Sequence, residues 1–106
     1  MITQDQLDQH KQWLLTDGRE GVRLDLSGLD LRGANLTGVN LRYADLTDAN
    51  LRCTYLCGAD LRYADLINAN FYDANLRGVD LSGAYLRYAN LEGADLTDVK
   101  GLELKK

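Results

Sequence analysis

From Leu24 onward the chain keeps a single register, with a large apolar residue at every fifth position from Leu26 to Leu96. That residue is leucine in every block except one, where Phe71 stands, and no insertion or deletion breaks the fifteen blocks. Two positions earlier the residue is small: alanine in ten blocks, with Val39, Thr54 and Val79 as substitutes and Leu24 and Leu29 opening the series. The intervening position is Asp or Asn except at Tyr55 and Tyr85. Neither the 3.6-residue helical period nor the two-residue strand period places apolar residues at i and i−2 of every fifth block. A corner in every block does: a short extended step of about three residues, then a turn, with leucine and alanine inward and the other three residues in water. Two positions after each leucine, glycine fills seven places and Asp48, Asn68, Asp73 and Asp98 four more, all residue types suited to tight turns.

Composition follows from this register. The 106 residues suit one small domain, leucine dominates the apolar set, and proline is absent, as strands whose amides must all pair require. The net charge of −4, with 13 Asp against 3 Glu, argues against a broad basic surface, so direct nucleic-acid binding is not expected. The opening MITQDQLDQH lacks the charged and apolar regions of a secretory signal, and no run reaches the length of a membrane span. The expectation is a cytoplasmic protein without a membrane partner. Cys53 and Cys57, spaced C-x-x-x-C, fit neither a redox nor a zinc C-x-x-C pair and read as free thiols.

The A-[DN]-L-x-x blocks from Leu24 to about Val99 resemble the pentapeptide-repeat family. The resemblance implies an all-β solenoid: a right-handed quadrilateral β-helix of about four coils, twenty residues each, roughly 20 Å long at ~4.8 Å per coil. It divides the chain into a capping helix and connection (1–21), the β-helix (22–101) and a short tail (102–106). Residues twenty apart then stack, giving four inner ladders headed by Leu26, Leu31, Leu36 and Leu41, with each leucine worth roughly 2–5 kcal/mol on truncation. Thr54, pointing inward, is expected to bond a backbone group, and Phe71 to need local adjustment.

Open coil edges need covers. Thr3 and Gln6 read as a capping box, and Asp17-Gly18 as a helix stop. The helix between them would lay Leu7, His10, Trp13, Leu14 and Leu15 over a first coil that Leu24 and Leu29 widen. Its sequence is similar to the N-terminal cap of many bacterial pentapeptide-repeat proteins. At the other end only a short segment remains. Either Val99, Leu102 and Leu104 cover the last coil, or two chains stack there as a homodimer with twofold symmetry, as some relatives do. Lys105 and Lys106 equally suit gatekeepers against edge pairing.

No catalytic constellation can be assembled, because His10 is the sole histidine and Ser27 and Ser82 the only serines. No metal site and no cofactor are expected. The Asp and Asn positions read as caps for corner amides. The stacked Asp25, Asp45 and Asp65 also raise phosphate imitation, since some relatives protect DNA gyrase by resembling DNA. About 20 Å of duplex carries roughly twelve charges against the −4 here. The fourth face, with Arg42-Tyr43 stacked on Arg62-Tyr63, is the candidate surface for an unknown protein partner. Its alternative is a solvated ladder in which each Arg pairs with Asp along a Tyr ring. The resulting expectation is a non-enzymatic scaffold or protein-interaction module, with a DNA-mimicking inhibitor or protector of a DNA-processing enzyme such as gyrase as the alternative.

Overall fold

The structure, a computed structural model, describes residues 2–102. It begins with helix α1 (Gln4–Leu15), whose start is the capping box anticipated from Thr3 and Gln6. Gln6 N–H donates to Thr3 Oγ1 at 3.1 Å, and Thr3 N–H donates to Gln6 Oε1 at 2.8 Å. Such a cap stabilises by about 1 kcal/mol. The helix ends where Thr16 N–H bonds Gln12 C=O and Asp17 turns left-handed at φ 54°. Gly18 N–H then closes on Trp13 C=O at 2.8 Å. The returning chain crosses α1 at Gly21, where a Cβ would run into Gln9 O and Trp13 N, so only glycine permits the approach.

Parallel bridges then link residues twenty apart, from Asp25 with Asp45 to Asp80 with Lys100, four to each coil. In the twelve blocks from Leu26 to Leu81 the central N–H donates to the next coil, as Leu26 N–H does to Asp45 C=O at 2.7 Å. Asp45 N–H returns to Leu24 C=O at 3.0 Å, and Gly28 N–H donates to Thr47 C=O at 2.8 Å. The corner is a turn closed by a bond such as Ala34 N–H to Leu31 C=O, 3.0 Å. A positive φ falls on its third residue alone, the pattern of a type II turn.

The extended part is narrower than the anticipated three-residue step: one bridging residue per side, because two of the five residues are spent in the turn. The third turn position is also less selective than its glycines imply. Tyr43, Cys53, Tyr63 and Tyr88 adopt φ of 58–64° there, beside the four Asp and Asn residues already noted. Side chains without glycine's freedom incur roughly 1–2 kcal/mol in that conformation, which the interlocked ladder imposes.

The inner ladders form the core. Leucines from Leu26 to Leu81 are buried, with Ala44, Ala49, Ala59, Ala64, Ala69 and Ala74 filling the gaps beside them. Thr54 is buried and its hydroxyl donates to Leu51 C=O at 2.8 Å, as its inward position required. Phe71 needs no visible adjustment. It is fully buried and its N–H reaches Asn90 C=O at 2.7 Å, the same length as the Leu51 bond one coil below.

At the N-terminal end α1 buries His10 and half-buries Leu7, Trp13 and Leu14, but Leu15 is 67% exposed, so it does not join the cover. Leu24 is buried below the helix, whereas Leu29, one face further round, is not. The inner leucines of the first coil, Leu26, Leu31, Leu36 and Leu41, are nonetheless all buried, with Leu29 left at the margin. At the other end Leu86, Leu91, Leu96, Val99 and Leu102 are only partly buried. Leu104, Lys105 and Lys106 lie outside the described residues.

Candidate interaction face

The fourth face carries columns of residues twenty apart: Asn40, Asp60, Asp80 and Lys100 at the bridges, then Arg42, Arg62 and Ser82, then Tyr43, Tyr63 and Gly83. The last two columns occupy turn positions and therefore project outward. Asp60 is the centre of the ionic part. Arg62 grips it with two parallel bonds, Nε to Oδ1 at 2.9 Å and NH2 to Oδ2 at 2.7 Å, while Arg62 N–H also donates to Oδ1. Arg42 Nε stands 3.7 Å from the same Asp60 Oδ2, and Arg62 Nε 3.9 Å from Asp80 Oδ2. Partial burial raises the pKa of Asp60, but the bonds from the Arg62 side chain and amide outweigh it and hold the carboxyl below its ordinary range. The Ser82 hydroxyl and amide do the same for Asp80. Both stay ionised at neutral pH. At this exposure the pairs fix geometry more than they stabilise.

The anticipated pairing of arginine with aspartate is therefore present, and the two tyrosine rings have each other as partners. The two rings stack on each other, centroids 5.0 Å apart and planes 14° from parallel. Tyr63 in turn leans over Gly83, where a Cβ would collide with its ring. The stack also extends into the helix, which the repeat register could not indicate. Trp13 meets Tyr43 edge-on at 6.4 Å, and His10 lies parallel to Trp13 at 5.9 Å. Arg23 Nε donates to Tyr43 C=O at 2.6 Å. Ring contacts thus run without a break from the buried His10 through Trp13 and Tyr43 to Tyr63, while Leu7 and Leu14 face the groove beside Val39. Tyr43 and Tyr63 remain 44% and 48% exposed. Among the described residues the face has four cations, Arg23, Arg42, Arg62 and Lys100, against Asp60 and Asp80, on a chain of net −4.

Elsewhere the Asp and Asn columns bond the corner amides. Thirteen of the fifteen blocks place an Asp or Asn Oδ1 on the N–H two residues later, as Asp25 does on Ser27 at 2.9 Å, Asp45 on Thr47 and Asp65 on Ile67. The exceptions are the blocks with Tyr55 and Tyr85. Cys53 and Cys57 are free thiols. A groove between α1 and the first coil is walled by Leu7, His10, Leu14 and Val39, with Gln4, Asp8, Lys11 and Asn40 around it. No group of metal-ligating side chains occurs among the described residues, and no described helix is long and apolar enough to cross a membrane.

Single-residue parallel bridges, four to each twenty-residue coil around a leucine core, define a β-helical solenoid of five-residue repeats. The family pattern "Pentapeptide repeats" matches with eight copies across residues 23–52, 40–78 and 64–100, and the chain belongs to that family. Among solved structures it is similar to the pentapeptide-repeat protein Rfr23 from the cyanobacterium Cyanothece 51142, at 32% identity and TM-score 0.59 over 78% of this chain. It is also similar to QnrB1, a plasmid-mediated fluoroquinolone resistance protein, at 26% identity and TM-score 0.60 over 71% of this chain. The match covers 63% of Rfr23 and 42% of QnrB1, less than two thirds of either. No curated protein sequence matches significantly.

Proposed function

We propose that the protein is a non-enzymatic, rigid, right-handed four-sided scaffold that binds a protein partner through the fourth face. The observation that carries the reading is the registered stack of Tyr43 on Tyr63, flanked by the Arg42, Asp60, Arg62, Asp80 ladder and continued by Trp13. Tyrosine, tryptophan and arginine are the residues that most often anchor protein interfaces. Here they are held in place before binding, which lowers the ordering cost. The stacked tyrosines cover each other's inner faces, which disfavours a platform for nucleic-acid bases. The positive balance of this face favours an acidic protein surface. Capture from cells of the native organism tests this: Arg62→Ala with Tyr63→Ala should lose the wild-type partner while leaving the thermal midpoint nearly unchanged. Equal capture by both proteins removes the proposal.

The similarity to QnrB1 supports a second reading, inhibition or protection of a DNA-processing enzyme such as gyrase. The charge argues against it, since a duplex of comparable length carries about twelve negative charges and this chain has a net of −4. Protection of gyrase supercoiling from a quinolone at stoichiometric protein would make it the better one. Self-association through the C-terminal coil belongs to the same scaffold reading, supported by the partly buried Leu86, Leu91, Leu96, Val99 and Leu102. A monomer mass independent of concentration in analytical ultracentrifugation would refute it.

A further inference from the structure

His10 is 1% exposed, lies on a helix, and touches the solenoid through both ring nitrogens. Leu24 N–H donates to Nδ1 at 2.9 Å, and Nε2 is 2.8 Å from Arg42 C=O. The acceptor role of Nδ1 fixes the tautomer: the proton sits on Nε2, which donates to Arg42, and the ring is neutral. These two backbone groups have defined counterparts throughout the solenoid. One coil on, Tyr43 N–H donates to Arg62 C=O, and one corner on, Leu29 N–H donates to Leu26 C=O. By the same register Arg42 C=O would take the Arg23 amide, and Leu24 N–H would close on Gly21 C=O. The imidazole serves both groups instead. It replaces a piece of backbone where the repeat begins, and it ties α1 to the first coil together with the bond from Val22 N–H to Gln9 C=O at 3.1 Å.

We propose that His10 is a pH-operated latch: neutral, it seats α1 on the first coil and places Trp13 against Tyr43; protonated, it releases that corner. A second proton can go only to Nδ1, where it meets the Leu24 N–H and turns an accepted hydrogen bond into two opposed donors. The charge would also arise in a buried site. Arg23 and Arg42, the charged side chains facing the ring from the solenoid, are both cationic. On α1 the neighbouring charged groups are Asp8 and Lys11, which border the groove beside the ring. Burial first, opposed by the bond to Arg42 C=O and assisted by the two arginines, lowers the pKa below the ordinary 6.5. The sign is therefore fixed: the latch is fully closed above 6.5 and opens as pH falls through the lower folded-state value. The proposal stands apart from the binding reading, because it concerns the seating of the helix whether or not a partner uses the strip.

The only histidine and the only tryptophan of the chain make the test unambiguous. In NMR spectra of the full chain from about pH 8 to about pH 5, the His10 ring should titrate below 6.5. The Trp13 indole resonance should move with the same midpoint, and the exchange protection of the Leu24 amide should fall about tenfold, as loss of one hydrogen bond implies. Amides of the central coils should keep their protection. His10→Gln retains a donor and an acceptor but cannot gain a proton, so its Trp13 resonance should not vary over this range, whether α1 is seated or already released. A Trp13 resonance and Leu24 amide that stay constant while His10 titrates would overturn the latch. So would the same transition in His10→Gln.

Discussion

The placement of Tyr63 over Gly83 can be measured by comparing two glycines in equivalent turn positions. Gly58 has φ 68° and Gly83 has φ 74°, so alanine meets the same left-handed backbone at both. That conformation disfavours a side chain by about 1–2 kcal/mol, offset in part by the stiffer unfolded chain, leaving a cost of about 1 kcal/mol. At Gly58 a new Cβ meets nothing within 4 Å, so the backbone cost stands alone. At Gly83 it collides with the Tyr63 ring, which has to swing away from Tyr43. Losing that stack adds about 0.5–1.5 kcal/mol. Gly83→Ala should therefore be the more destabilising of the two in urea unfolding, with an unchanged slope. In a Tyr63→Ala background the excess should vanish, because the ring is gone before the Cβ arrives. Equal costs for the two glycines in the wild-type background, or an excess that survives Tyr63→Ala, would refute the stacking geometry.

Leu66→Ala, at a fully buried position, should cost about 2–5 kcal/mol. Leu96→Ala, in the partly buried last coil, should cost less than half as much in the same denaturation assay if that coil is open to water. Tyr55→Asn should supply the oxygen that its block lacks for the Cys57 N–H and raise stability by about 0.5–1 kcal/mol, read as a higher melting midpoint. Asp25, Asp30, Asp80 and Asp95, led in each case by a side-chain hydrogen bond, have pKa values below 3.8, so their contribution is complete above that pH. The melting midpoint should fall as pH drops through 3.8 and below; a midpoint constant from pH 5 to about pH 2 would contradict the bonding of these carboxylates.

The solenoid was legible because its information is periodic: Leu26 to Leu96 fix the inner ladders, and Asp or Asn before each leucine fixes the corner bonds. Thr3, Gln6 and Gly18 located the helix just as directly, since caps are local chemistry. The seam between helix and coil was not legible. No register relates Trp13 to Tyr43, so the sequence placed one in the cap and the other on a partner surface, and their contact emerged only in three dimensions. Leu15 and Leu29 were misplaced for the same reason, being apolar residues beside a boundary whose angle nothing in the pattern specifies. Tyr63 and Cys53 at left-handed corners show the opposite limit: the ladder overrides local preference.

The uninterrupted twenty-residue offset between bridged partners also makes the molecule sensitive to phase. Gain or loss of a whole coil would leave every downstream side chain on its own side, and the core would simply lengthen or shorten. Gain or loss of one block would be equally acceptable to the leucines, since one inner ladder resembles the next. It would, however, rotate everything downstream by a quarter turn and carry Tyr63 away from Tyr43. Length changes that a stability measurement scarcely notices would thus scramble the surface, so inheritance of a binding face in such a chain requires edits in multiples of four blocks.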